Sequence, residues 1–318
     1  MKPILIYYDI LNYLPENIRL LESYFQLIQI PDPSCDKAEI LQKADAIIVP
    51  LGYFFGKKKI DTSSYLKVIG SNTTGHPHID VQYAHKMGIK VVTLKGHHEI
   101  LDRITSTAEL AWGLIIAVTR NICPAYRSVL NGHWERWPFG GRMMLSNMSL
   151  GVVGYGRLGK KVAEYGVCFG MKVNYYDPYV KKTDASTEKK ETLEELVSVS
   201  DVVSVHVPHE LTTENLFNEN VFGCFKERSY FVNTSRGEIV DHNALLDALR
   251  RGKLSGAALD VLEDEFNPGF QKHLNTNHLV QYALNHDNLI ITPHIGGSTI
   301  DAWRMTQEFT IKKMIEAL

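Results

Sequence analysis

No stretch of this 318-residue chain offers the roughly 18–20 consecutive apolar residues that a bilayer-spanning helix requires. Cysteine is scarce. Cys35, Cys123, Cys168 and Cys224 are scattered with no C-x-x-C pair, which gives neither a disulfide framework nor the spacing of a metal site, so no metal is expected. Charge of one sign is also lacking: 34 Lys and Arg against 36 Asp and Glu leave −2 at pH 7. That argues against nucleic acid or an anionic membrane as the main partner. The opening MKPILIYYD has no long apolar stretch and no small-residue cleavage site, so it reads as a first strand and not as a signal peptide. What is present is ordinary for a globular protein, with 44% hydrophobic and 22% charged residues, and the length suits two domains. The expected location is the cytoplasm.

Ile4–Tyr8, Ala46–Pro50, Tyr65–Gly70 and Ile89–Thr93 are rich in Ile, Val and Tyr and read as buried strands. Asn17–Gln26, Ala38–Lys43 and Val81–Met87 carry helical spacing between them. Such alternation predicts an α/β fold, a parallel sheet with helices on both faces. Ser106-Thr107-Ala108-Glu109 has the form of a capping box, opening a helix whose Leu110–Val118 stretch should be buried. Residues 131–149 form an irregular connection with two tryptophans, readable as a dimer arm or as a loop folded on its own domain. From Leu150 a second strand–helix series begins: LGVVG, KVNYYD, DVVSVHVP, SYFVNTS, LSGAALDV and NLIITPH. The helical Ser298–Leu318 has no strand in that series, and its return to the first domain would make that domain discontinuous.

Gly154-Tyr155-Gly156-Arg157-Leu158-Gly159 is a G-x-G-x-x-G run directly after the apolar Leu150–Val153. The first glycine permits a tight turn, the second lets backbone approach a pyrophosphate, and the third lets helix and strand pack closely. Twenty-one residues beyond Gly156, Asp177 ends the next strand, where a carboxylate can accept from both adenosine ribose hydroxyls and repel a 2′-phosphate. The combination points to NAD in preference to NADP.

Three further residues sit at carboxyl ends of expected strands, the edge where open α/β sheets bind ligands. Arg236 follows Tyr230–Val232, Glu265 follows SGAALDV, and His294 follows NLIIT. A guanidinium pairs with a carboxylate through a two-pronged fork. A histidine held by a carboxylate has its tautomer and orientation fixed for acid/base work. Beside a nicotinamide, such a set serves hydride transfer to a 2-oxo acid. The same residue types on loops are also commonly just solvated.

GYGRLG, HVP at His206–Pro208, VNTSRGEIVD, GAALDVLEDE and TPHIGGST occur in the order and approximate spacing of the D-isomer-specific 2-hydroxyacid dehydrogenases. With TTGHPHID and STAE, the chain resembles that family over nearly its whole length, in a phosphoglycerate dehydrogenase-like short form without a regulatory domain. The resemblance implies catalytic roles for Arg236, Glu265 and His294, and substrate-carboxylate contacts from Arg236 and the backbone of Thr74 and Gly75. It implies NAD contacts at Gly154, Gly156, Arg157, Leu158, Gly159, Asp177, Thr234, Ser235, Arg236, Asp260, His294, Gly296 and Gly297, with Thr107 and His206 beside them. It further implies a flavodoxin-like, Rossmann-type substrate domain over 1–100 plus 296–318, a Rossmann NAD-binding domain over 101–295, and a homodimer.

The chain departs from that pattern in places. Pro50-Leu51-Gly52-Tyr53 stands where phosphoglycerate dehydrogenases place an Arg-Ser pair, so a phosphorylated substrate is not expected. HVPHELTT replaces the usual HxPLT. Glu265 and His294 lie 29 residues apart, a long gap, and His273 and His278 within it read as solvated loop residues. Glu265 also argues against a formate dehydrogenase, which uses Gln there. The resulting expectation is an NAD-dependent oxidoreductase on a small (R)-2-hydroxy acid and its 2-oxo acid. The alternatives are a dinucleotide-sensing binding protein or co-regulator on the same fold, and a non-redox enzyme on a Rossmann core.

Overall fold

β-branched and aromatic runs build two sheets in this computed structural model, which describes residues 2–181, 185–267 and 269–318. β1 (Ile4–Tyr8), β2 (Gln26–Ile30), β3 (Ala46–Ile48), β4 (Val68–Gly70) and β5 (Lys90–Val92) pair in parallel in the order β2-β1-β3-β4-β5. The second sheet comprises β6 (Ser149–Val153), β7 (Lys172–Tyr176), β8 (Thr187–Lys189), β9 (Val202–Val205), β10 (Ser229–Asn233), β11 (Leu254–Leu259) and β12 (Leu289–Ile291). It too is parallel, in the order β12-β11-β10-β9-β6-β7-β8. These are the flavodoxin-like and Rossmann doubly wound orders, with switch points between β1 and β3 and between β6 and β9. The expected α/β class with two parallel sheets is what the chain adopts.

The chain divides into two compact units, Met1–Ile104 with Phe266–Pro268 and Ser298–Leu318, and Thr105–Glu265 with Gly269–Gly297. In the first, Ile6 and Tyr8 pack in one layer with Ile47, Val49 and Ile69, while Leu5 and Tyr7 pack in the other with Ala46, Ile48 and Val68. This is period-two alternation with both faces buried. The helix Ile300–Ala317 adds Ile311 and Met314 to the second layer, and the Met314 sulfur lies where a side chain on Gly70 would have to go. Gln307 accepts from Asn17 Nδ2 at 3.0 Å and from Leu14 N at 3.0 Å, both in the opening segment. Those contacts explain why the last helix belongs with the first strands.

In the second unit the helix Ser106–Thr119 buries Ala108, Ala111 and Ile115 completely, as its almost wholly apolar sequence demands. The helix Arg157–Cys168 packs closely enough that a side chain on Gly166 would meet Leu150 Cδ2 at 2.7 Å. On the opposite face Phe217, Phe222, Phe225 and Phe231 form one cluster with ring centroids 4.9–6.3 Å apart. Each fully buried ring of this size contributes about 1.5–3 kcal/mol over its exposed state.

Several local expectations are corrected. The helix expected to reach Gln26 ends at Tyr24, and Gln26–Ile30 form strand β2, which was not anticipated and pairs Leu27 and Ile28 in register with β1. The helix at 106 has no capping box. Ser106 is its first helical residue, its buried hydroxyl has no partner among the described residues, and the Thr105 hydroxyl bonds Glu109 instead. The segment after Glu265 is not a plain loop, since Phe270–His273 and His278–Asn285 are helices and Asn277 caps the second. Its Leu279 and Tyr282 are buried, while His273 and His278 are exposed. Strand β8 and the helices Lys57–Thr62 and His98–Leu101 were not anticipated.

Candidate active site

Every candidate in the second unit except Thr107 lies at or just beyond the carboxyl end of a strand. After β6 the chain makes a turn that only glycines allow. Gly154 has φ +87°, and a side chain there would meet the His206 carbonyl oxygen at 2.7 Å. A side chain on Gly159 would run into the Gly154 carbonyl. Gly156, by contrast, has no described residue within 4 Å of where a side chain would start, so open space lies above the turn among the described residues. Gly156 is also the N-cap of Arg157–Cys168 and offers no capping side chain. Bare backbone, open space and a helix N-terminus together suit a pyrophosphate.

Asp177 leaves β7 buried, and its carboxylate accepts from Tyr155 N at 2.8 Å, Tyr179 N at 2.8 Å and Val180 N at 3.1 Å. It thereby braces the glycine turn from which Tyr155 comes. His206 follows β9, with Nε2 at 2.8 Å from Ser204 Oγ, and burial pushes its pKa down to about 4. Thr234 follows β10 with a buried hydroxyl that has no partner among the described residues.

The loop carrying Arg236 is rigidly tied. Asn233 Nδ2 donates to the Arg236 carbonyl at 2.8 Å, its Oδ1 accepts from Ser235 N at 2.9 Å, and Ser235 Oγ donates to the Val205 carbonyl at 2.9 Å. Gly237 packs directly on the backbone of Leu262 and Glu263, which joins this loop to the one carrying Glu265. Arg236 Nη1 donates to the Ser235 carbonyl at 2.6 Å, and among the described residues no carboxylate pairs with the guanidinium.

His294 Nδ1 lies 2.7 Å from Glu265 Oε1, with the side chains 29% and 11% exposed. A carboxylate only accepts, so Nδ1 carries the hydrogen and the ring is held in one tautomer. His294 takes φ +52°, an uncommon backbone conformation for a residue other than glycine, and its N–H donates to the Asp260 carbonyl at 2.8 Å. Asp260, 1% exposed, is filled by this loop: its carboxylate accepts from Thr292 Oγ1 at 2.6 Å, Ile295 N at 2.9 Å and Gly296 N at 2.8 Å. A side chain on Gly296 would meet Asp260 Oδ2 at 3.0 Å and Thr107 Cγ2 at 3.2 Å, which places Thr107 against the same turn. Gly297 is exposed, and a side chain there would meet none of the described residues within 4 Å.

In the first unit Thr74 and Gly75 follow β4. Among the described residues nothing accepts from either N–H, and Thr74 is exposed. Asn233, Gly237 and the buried His78 were not singled out from the sequence. An asparagine and a glycine bracketing Thr-Ser-Arg were the available signal for the first two. His78 had none.

Residues 112–296 match the family described as D-isomer specific 2-hydroxyacid dehydrogenase, NAD binding domain. The chain is 32% identical to a glyoxylate reductase of Thermococcus litoralis over 96% of its own length and 92% of that protein's. It is 34% identical to a hydroxypyruvate reductase of Thermotoga maritima, covering 88% and 87% of the two chains. A D-lactate dehydrogenase from Aquifex aeolicus, solved with NAD and lactic acid, superposes with a TM-score of 0.80 at 30% identity over 98% of this chain and 94% of that one.

Proposed function

Because the chain belongs to the D-isomer-specific 2-hydroxyacid dehydrogenase family, we propose that its geometry serves one reaction, the interconversion of a small (R)-2-hydroxy acid and its 2-oxo acid. It is an NAD-dependent oxidoreductase of that family. The observation that carries the site assignment is the 2.7 Å contact between Glu265 and His294.

The unit with the seven-stranded sheet takes NAD, and the unit with the five-stranded sheet takes the substrate. Gly154, Gly156 and Gly159 with Arg157 and Leu158 hold the pyrophosphate, Asp177 the adenosine ribose, and Thr234–Arg236, His206, Thr107 and Gly296–Gly297 the nicotinamide half. When bound, NADH supplies the hydride to C2 of the 2-oxo acid. For the substrate carboxylate, the first unit offers the N–H groups of Thr74 and Gly75, and the second offers the Arg236 guanidinium. His294, protonated on both ring nitrogens and held by Glu265, gives its Nε2 proton to the carbonyl oxygen, and Glu265 steadies the charge the ring carries beforehand.

The Glu265–His294 pair favours catalysis over a dinucleotide-sensing role on the same fold. Exposed Tyr126, Leu130, Trp134, Trp137, Met143 and Met144 support a homodimer formed through this region, which sedimentation tests. A cytoplasmic location suits the NAD(H) supply and four free cysteines.

The deciding experiment follows NADH oxidation with a panel that includes glyoxylate, hydroxypyruvate and pyruvate, beside an Arg236→Ala control. Turnover that falls about a hundredfold in kcat/KM in the control is expected for a lost charge-assisted fork. Unchanged turnover in Arg236→Ala would remove that residue from the site.

A further inference from the structure

The turn after β4 is wired to a buried histidine, and the direction of each hydrogen bond follows from the groups involved. Thr73 Oγ1 lies 2.6 Å from the Gly75 carbonyl, which can only accept, so the Thr73 hydrogen is committed there. Thr73 Oγ1 also lies 2.9 Å from Ser71 Oγ, and Ser71 must therefore be the donor of that bond. Ser71 Oγ in turn lies 3.0 Å from His78 Nε2, and with its own hydrogen committed it accepts. The hydrogen of His78 is thus on Nε2, and the chain runs from His78 through Ser71 and Thr73 to the Gly75 carbonyl. All its bonds point one way, an arrangement in which each strengthens the next.

The surroundings agree with that polarity. His78 is 4% exposed and Ser71 0%. Burial, opposed by a backbone contact to Val49 and aided by a smaller push from His76, lowers the His78 pKa to about 4, so at neutral pH the ring has the single hydrogen the chain needs. The far end of the chain is the turn whose Thr74 and Gly75 N–H groups have no acceptor among the described residues.

We propose that His78 is a positioning residue for substrate binding: through Ser71 and Thr73 it holds the Gly75 carbonyl back and keeps the Thr74 and Gly75 N–H groups open to the carboxylate of a 2-oxo acid. Without a donor at position 78, the Ser71 hydroxyl is free to reverse and the Thr73 hydroxyl to rotate. The Gly75 carbonyl is then released, and its lone pairs oppose an incoming carboxylate. The inference rests on the reading of that turn as the carboxylate-binding element.

The test is steady-state kinetics with NADH and the best 2-oxo acid on the wild type, His78→Gln, His78→Met and Ser71→Ala. Glutamine keeps an N–H donor at similar reach, whereas methionine keeps volume without one. The KM for the 2-oxo acid should rise about tenfold in His78→Met and in Ser71→Ala, the size of one hydrogen bond to a charged group. In both, kcat and NADH affinity should stay within about twofold, and His78→Gln should keep the KM near the wild-type value. The double variant should be no worse than either single one, because both cut the same chain. An unchanged KM in His78→Met, additive effects, or a glutamine variant as impaired as methionine overturns the proposal. If His78→Met does not fold, Ser71→Ala and Thr73→Val put the same question from the other end. A wild type that binds NADH but reduces no 2-oxo acid refutes the carboxylate reading itself, and the inference with it.

Discussion

Taking the protein from pH 7 to pH 5 should cost stability, and the share due to one buried histidine can be isolated. Burial holds His78 and His206 at about 4, against about 6.5 for a solvated histidine. Between those values the unfolded chain binds protons that the folded chain refuses, so stability falls as the pH falls through this window. At pH 5 each histidine accounts for about 2 kcal/mol of that loss, rising to about 3 kcal/mol below pH 4, where it levels off. The assay is urea unfolding of the wild type and His78→Gln at both pH values. Glutamine does not titrate, so the drop in stability should be about 2 kcal/mol smaller in the variant. Carboxylates elsewhere act on both proteins alike and cancel in the comparison. Equal drops would mean that folded His78 takes its proton near the ordinary pH, and the burial argument would fail.

His294→Asn should lower kcat by about two to four orders of magnitude, the usual worth of a positioned acid/base group, with NADH affinity nearly unchanged in a fluorescence titration. Asp177→Asn should weaken NADH about tenfold while narrowing the preference over NADPH, because a carboxylate that repels a 2′-phosphate is gone. Measured affinities for the two cofactors decide this, and an unchanged ratio would count against the ribose role.

The architecture was largely legible because both sheets are parallel and buried on both faces. Ile4–Tyr8 and Leu150–Val153 read as strands from composition alone, and the two series of strands predicted two doubly wound units. Two of the elements that escaped have low apolar content. Strand β8 has the sequence Thr-Glu-Lys and sits at the sheet edge beside β7, where one-sided pairing needs little burial. The helix Lys57–Thr62 is three lysines followed by Ile60, Asp61 and Thr62, with only Ile60 buried, so no stripe announces it. The misplaced cap at 106 turned on a single residue. Thr105 and Ser106 are both capping types, and only packing decides that the Ser106 side chain goes inward.

The site was legible in position more than in role, and Asp260 shows why. An acid at the carboxyl end of a strand invites a ligand contact from sequence. Once 1% exposed, however, a carboxylate must be satisfied by nearby donors. The donors within reach are Thr292 Oγ1 and the N–H groups of Ile295 and Gly296, on the turn that holds His294 at φ +52°. Sequence shows that an acid is there, but not that the turn has already filled it. The two roles predict different kinetics for Asp260→Asn, which keeps the shape but turns a donor toward one of those groups. If Asp260 sets His294, kcat should fall about 5- to 150-fold, since one mispaired buried group costs about 1–3 kcal/mol, and NADH affinity should hold. If Asp260 is mainly a nicotinamide contact, NADH affinity should fall and kcat at saturating cofactor should recover. The filled carboxylate leads us to expect the first outcome, and the second would return Asp260 to the cofactor.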